Sequence, residues 1–147
     1  ATGCGIDIDP VAVDTACRNA DRLGFGKRAS FLQGDFADPE TGGTGFDLVL
    51  CNPPYIPAAE IAKLAPEVAL FDPHRALDGG DDGLTCWRAV LPRIAAGLAP
   101  KGRAVVAIGA GQEEAVVMLA RGSGLAEVRR VRDLGGIVRC LVLHPAS

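Results

Sequence analysis

No cysteine in this chain has a partner at the spacing of a C-x-x-C pair, and the two histidines, His74 and His144, stand far apart. The spacings that zinc or a redox dithiol needs are missing, so no metal site is expected. The five cysteines (Cys4, Cys17, Cys51, Cys86 and Cys140) are odd in number and scattered. That is the usage of a reducing compartment, and a cytoplasmic location is expected. Aromatic residues make up only 5% and the formal net charge is −3. A general nucleic-acid binder needs a basic face to displace counterions, so direct nucleic-acid binding is not expected. No apolar run approaches the roughly 18 residues of a membrane span. Basic charge gathers toward the C-terminus in Arg121, Arg129, Arg130, Arg132 and Arg139, and reads as a solvated sheet edge.

What is present suits one soluble α/β domain. The 147 residues are 48% hydrophobic and 22% charged, enough for a core in a single domain over residues 1–147. Gly3 to Ile8 reads as a strand. Asp9 then caps a helix that has Pro10 in its first position and an apolar stripe of Val13, Ala16, Cys17 and Ala20. Ala29–Gln33 and Phe46–Cys51 are the next strands. The stretch from Asn52 to Gly83 is rich in proline and glycine and reads as a long functional loop, with at most a short helix around Ala58–Leu64. Leu84, Trp87, Leu91, Ile94 and Leu98 repeat at helical spacing around Pro92, which predicts a kink near Arg88. A strand over Arg103–Ile108, a helix over Gln112–Ala120 and strands over Leu125–Val131 and Ile137–Leu143 complete the pattern. Alternation implies a mostly parallel sheet, and the closing strand pair an antiparallel end.

Chemistry concentrates at the strand ends, where open α/β sheets bind ligands. Asn52-Pro53-Pro54-Tyr55 directly follows the apolar run Phe46–Cys51. Its prolines fix φ and hold Asn52 extended, so the loop presents one amide side chain and the Asn52 and Pro53 carbonyls in fixed directions. Such acceptors suit a planar NH2 group. Asp7, closing the first strand, sits where an acid takes the ribose hydroxyls of a nucleotide cofactor. Gln33-Gly34-Asp35-Phe36 would place Asp35 near an adenine amino group and Phe36 against its ring, although Asp is also a common turn residue. Gly109-Ala110-Gly111 follows a strand but lacks the third glycine of a dinucleotide loop, and Glu113 and Glu114 would repel a pyrophosphate there.

Asn52-Pro53-Pro54-Tyr55-Ile56-Pro57, followed by Pro66-Glu67-Val68, Asp72-Pro73, Ala76-Leu77-Asp78-Gly79-Gly80 and Asp82-Gly83-Leu84, resembles the HemK-type protein-(glutamine-N5) methyltransferases. The tetrapeptide alone is shared with adenine and guanine amino-methyltransferases; the later pieces, in order, single out the glutamine branch. The resemblance implies a Rossmann-like sheet and S-adenosylmethionine as cofactor. The substrate it implies is the glutamine of the Gly-Gly-Gln loop of a peptide-chain release factor. It assigns Asp7 to the ribose, Phe36 to the adenine, and Asn52, Pro53, Pro54 and Tyr55 to the target amide. Asn52 and Pro53 would accept the two N–H bonds of that amide, and Tyr55 would flank its plane. The family's strand and glycine-rich first loop would precede Ala1, so an N-terminally truncated catalytic domain is expected. Two other readings stay open at this level: a nucleic-acid amino-methyltransferase, and an inactive fragment without the cofactor's glycine loop.

Overall fold

The computed structural model describes residues 1–38 and 41–146. The chain divides into two compact units, Ala1–Gly43 and Thr44–Ser147.

The first unit is a parallel strand pair with one helix. β1 (Gly3–Asp7) and β2 (Ala29–Gln33) pair in register from Gly3 opposite Ala29 to Asp7 opposite Gln33. α1 (Pro10–Arg22) connects them and packs on both. Asp9 stands outside the helix in extended geometry, and its carboxylate accepts the Val11 N–H at 2.8 Å; Pro10 takes the position where a missing N–H costs nothing. Of the described residues in this unit, Ala20 alone is buried among the hydrophobics, so its core is thin.

The second unit carries a four-stranded sheet in the order β3-β4-β6-β5. β3 (Phe46–Cys51) and β4 (Leu98–Ala107) are parallel, while β6 (Val138–Pro145) runs antiparallel to both β4 and β5 (Leu125–Arg132). The expected mixture of parallel pairing and an antiparallel end is what forms. β4 begins earlier than the sequence suggested. Leu98 pairs with Phe46, and the register then shifts before Leu48 pairs with Arg103. That irregularity accommodates Pro100, which cannot donate to a regular ladder.

Two helices supply the core. α5 (Thr85–Gly97) lies along β4 and buries Trp87, Val90, Leu91 and Ile94; its helical assignment runs unbroken through Pro92. α6 (Glu113–Gly122) packs on β5 and β6 through Val116, Val117 and Ala120. Against them stand Ala104 and Val106 of β4, Leu125 of β5, and Leu141 and Leu143 of β6, none more than 1% exposed. This alternation of inward apolar residues with outward ones on β4 and β6 is the period-two signature of a sheet with a covered face.

The long segment after β3 departs from expectation. Instead of one short helix at most, it holds three: α2 (Ala58–Ile61), α3 (Pro66–Phe71) and α4 (His74–Leu77). Prolines that look like breakers are helix starters here. Pro57 and Pro73 stand immediately before α2 and α4, and Pro66 occupies the first turn of α3. Proline tolerates that place because its missing N–H would have had no intrahelical partner. His74, read from the sequence as a loop residue, opens α4 and lies 3.6 Å from the Asp78 carboxylate.

Candidate functional site

The tetrapeptide Asn52–Tyr55 leaves β3 at its C-terminal end, beside the C-terminal end of β4, where Cys51 pairs with Val106. Pro53 is buried and Asn52 exposed. The Asn52 side-chain amide makes no hydrogen bond among the described residues. A cavity of about 150 Å³ is lined by Asn52, Pro53, Pro54, Tyr55, Ile56, Ala76 and Leu77. The structure thus brings together the tetrapeptide and the end of α4.

Backbone bonds hold α4 there. Ile56 donates to the Leu77 carbonyl at 3.0 Å, and Gly79 donates to the Ile56 carbonyl at 2.8 Å. The turn that follows is closed by Asp78, whose carboxylate accepts the Gly80 N–H at 2.8 Å. Gly79 is buried, and a Cβ on it would sit 2.8 Å from the Cα atoms of Tyr55 and Gly83, so only glycine allows this close approach. Asp82 then accepts the Leu84 N–H at the start of α5 and forms a two-pronged ion pair with Arg88, at 3.1 and 2.5 Å. The Arg88 hydrogen bonds, with the Leu84 N–H, hold the Asp82 carboxyl down at about 2.

Tyr55 is gripped at both ends. Its carbonyl accepts a hydrogen bond from the Gln112 side chain at 2.9 Å, and its hydroxyl lies 3.4 Å from the Arg139 guanidinium. The guanidinium carbon is 6.0 Å from the ring centroid. Arg139, expected on a solvated basic edge, is instead half-buried against this ring, because β6 delivers it beside the end of β4, where its carbonyl accepts the Ile108 N–H. Arg130 is also engaged, with Glu127 and Glu114. Neither Gln112 nor Arg139 was singled out from the sequence as a site residue. The only local signal is the position of Gln112, four residues after the end of Arg103–Ile108 and at the start of a helix.

Cys51, directly before Asn52, has its thiol pushed up to about 12 by burial, with the neighbouring Cys86 adding to the effect. It is a neutral packing group at physiological pH and not a nucleophile.

In the first unit, Asp7 closes β1 opposite Gln33, and its carbonyl accepts the Gly34 N–H at 3.0 Å. Asp7 Oδ1 accepts the Asp9 N–H at 2.8 Å, leaving Oδ2 without a protein partner among the described residues. Asp7 also lines a cavity of about 230 Å³ with Gly5, Ile6, Ala12, Val13, Ala16 and Phe31. Asp35 fills the turn role considered for it: Oδ1 accepts the Ala37 N–H at 2.8 Å. Asp35 and Phe36 follow β2 at the same end of the pair as Asp7 but do not line that cavity. Among the described residues, no group of three or more His, Cys, Asp or Glu side chains could hold a metal ion, and no helix is long and apolar enough to cross a membrane.

A family model described as RMKL-like, methyltransferase domain, matches residues 1–66. A protein of Rhodospirillum rubrum named release factor glutamine methyltransferase is 50% identical over 142 residues, covering 97% of this chain and 43% of that protein. Proteins of the same name from Caulobacter vibrioides and Gloeobacter violaceus are 46% and 42% identical, over 91% and 98% of this chain and 46% and 50% of theirs. The chain spans about half the length of the curated relatives it matches. Among solved structures, TrmN from Thermus thermophilus superposes with a TM-score of 0.64 at 18% identity, covering 98% of this chain and 36% of that one. A TehB-like SAM-dependent methyltransferase from Corynebacterium glutamicum superposes at 0.60 and 21% identity, covering 97% and 67%. The fold is that of the SAM-dependent methyltransferases, Rossmann-like and α/β. By sequence the chain is similar, over nearly its whole length, to proteins named release factor glutamine methyltransferase.

Proposed function

We propose that this chain is catalytic sequence of an S-adenosylmethionine-dependent protein-(glutamine-N5) methyltransferase, acting on the Gly-Gly-Gln loop of a peptide-chain release factor in the cytoplasm. The observation that carries the reading is the Asn52–Tyr55 loop: a stiff turn whose exposed Asn52 side-chain amide makes no hydrogen bond among the described residues, at the C-terminal end of a parallel strand and on the rim of a cavity. The relatives' shared name supports the substrate class. Both units would belong to one methyltransferase domain, which agrees with homologous sequence running over 97% of the chain.

A glutamine amide nitrogen is a poor nucleophile because its lone pair is delocalised into the carbonyl. The Asn52 side-chain oxygen and the Pro53 carbonyl would accept its two N–H bonds and fix its direction. As the nitrogen bonds to carbon its N–H groups become more acidic, and acceptors already in place stabilise that charge without reorganising. Tyr55 would flank the amide plane, and Pro54 would keep the loop extended. The cofactor supplies an electrophilic methyl on a sulfonium when bound. Asp7 fits its ribose, since Oδ2 has no partner among the described residues and the adjoining cavity is lined by small and apolar residues. Asp35 and Phe36 are assigned to the adenine.

The net charge of −3 and the engagement of Arg130 and Arg139 in protein contacts favour this reading over a nucleic-acid substrate. Transfer of labelled methyl to a release factor, mapped to the residue, tests it: label on the glutamine side chain is expected, and label on adenine or guanine overturns it.

A further inference from the structure

We infer that Gln112 is a positioning residue for methyl transfer, acting through Tyr55; the inference rests on the reading of the Asn52–Tyr55 loop as the amide site. Gln112 stands just before α6, and its side-chain amide is used at both ends. Oε1 accepts the Gly109 N–H at 3.0 Å, while Nε2 donates to the Tyr55 carbonyl at 2.9 Å and the Gly83 carbonyl at 3.4 Å. One side chain therefore ties three segments together: the loop after β4, the last residue of the tetrapeptide, and the turn that leads into α5.

The space around it is shaped for this contact. A Cβ on Gly83 would lie 2.7 Å from Gln112 Nε2 and 2.5 Å from the Tyr55 carbonyl oxygen. A Cβ on Gly109 would lie 2.7 Å from Gln112 Oε1 and 3.1 Å from the Tyr55 ring. Gly109, which resembles a fragment of a phosphate loop in sequence, is thus small so that the clamp can close. A side chain that only capped α6 would bond to its own helix; the Gln112 side chain makes no such bond among the described residues and reaches across the sheet end.

The mechanical consequence follows from the prolines. Pro53 and Pro54 restrict rotation between Asn52 and Tyr55, so a shift of the Tyr55 anchor is passed to the backbone of Asn52 and Pro53 that carries the two acceptors. Gln112 anchors the carbonyl of Tyr55, and Arg139 lies against its hydroxyl. Without the clamp the acceptor pair loses its fixed aim, and a misplacement of about 1 Å costs on the order of 100-fold in rate. Neither substrate needs Gln112 for binding.

The test uses the full-length protein with S-adenosylmethionine and a release factor. Gln112→Leu keeps bulk and removes all three bonds; kcat is expected to fall about 10- to 100-fold, with KM for both substrates within about threefold. Val117→Ala, a core change on α6, serves as a control matched for lost Tm and should keep kcat. Gln112→Glu sets a carboxylate against two carbonyls, which favours its protonated form. Its kcat, relative to wild type, should therefore rise as pH falls from about 8 to about 6, because the protonated acid regains a donor; a stability loss alone gives no such profile. Wild-type kcat in Gln112→Leu, an equal fall in Val117→Ala, or a flat relative profile in Gln112→Glu overturns the role of Gln112 alone. A wild-type protein that methylates no glutamine overturns the underlying reading as well.

Discussion

Ile56 pairs with Asp78 in an isolated parallel bridge, so the residue that follows the tetrapeptide is stitched to the far end of the α2–α4 excursion. The excursion is therefore a closed structure built onto the candidate amide site. Its last helix, α4, places Ala76 and Leu77 on the cavity wall, and the glycine turn after Asp78 packs under Tyr55.

Asn52→Ala should abolish most turnover while leaving the fold intact. Removing one preorganised acceptor of developing charge costs about 10²–10³ in rate. Asn52 is exposed and makes no hydrogen bond among the described residues, so stability should change by no more than about 0.5 kcal/mol. Single-turnover kinetics and a thermal melt check both halves.

Asp7→Asn should weaken S-adenosylmethionine binding with little effect on affinity for the protein substrate. The substitution keeps an acceptor for the Asp9 N–H, so the turn into α1 survives, while the charge and one ribose acceptor are lost. Calorimetric titration of the full-length protein reads the result; an unchanged dissociation constant would leave Asp7 as a turn residue only.

Asp82 should make stability depend on acid. Its folded pKa of about 2 lies below the ordinary 3.8, so the stabilisation is present above about 4 and is lost as pH falls through 2. Asp82→Asn should melt earlier than wild type at about pH 5, and the gap should close toward pH 2. A gap that persists at pH 2 would assign the effect to the side-chain shape and not to its charge.

Cys51 should resist alkylation in the folded protein at about pH 8, because its thiol is held neutral up to about 12. Cys4, which is exposed, should react first. Peptide mapping after brief iodoacetamide treatment distinguishes them, and rapid labelling of Cys51 would show that the end of β3 opens.

The strands were legible because each is a short apolar run bounded by turn residues: Ala29–Gln33 and Phe46–Cys51 form as the sequence indicates. Asp9 and Pro10 announce α1 for the same local reason. The helices α3 and α4 were not legible, since four to six residues are too few for a helical period to emerge and their prolines look like punctuation. At the site, Asn52–Tyr55 could be found because its stiffness is local. Gln112 and Arg139 could not, because their contacts with Tyr55 span 57 and 84 positions and only the sheet brings them together.

The most direct measurement is mass mapping of a release factor after incubation with the full-length protein and methyl-labelled S-adenosylmethionine. One labelled methyl on the side-chain nitrogen of the Gly-Gly-Gln glutamine, lost with Asn52→Ala, is the predicted result. Label elsewhere in the protein, label on nucleic acid, or full labelling by the Asn52→Ala variant would contradict it.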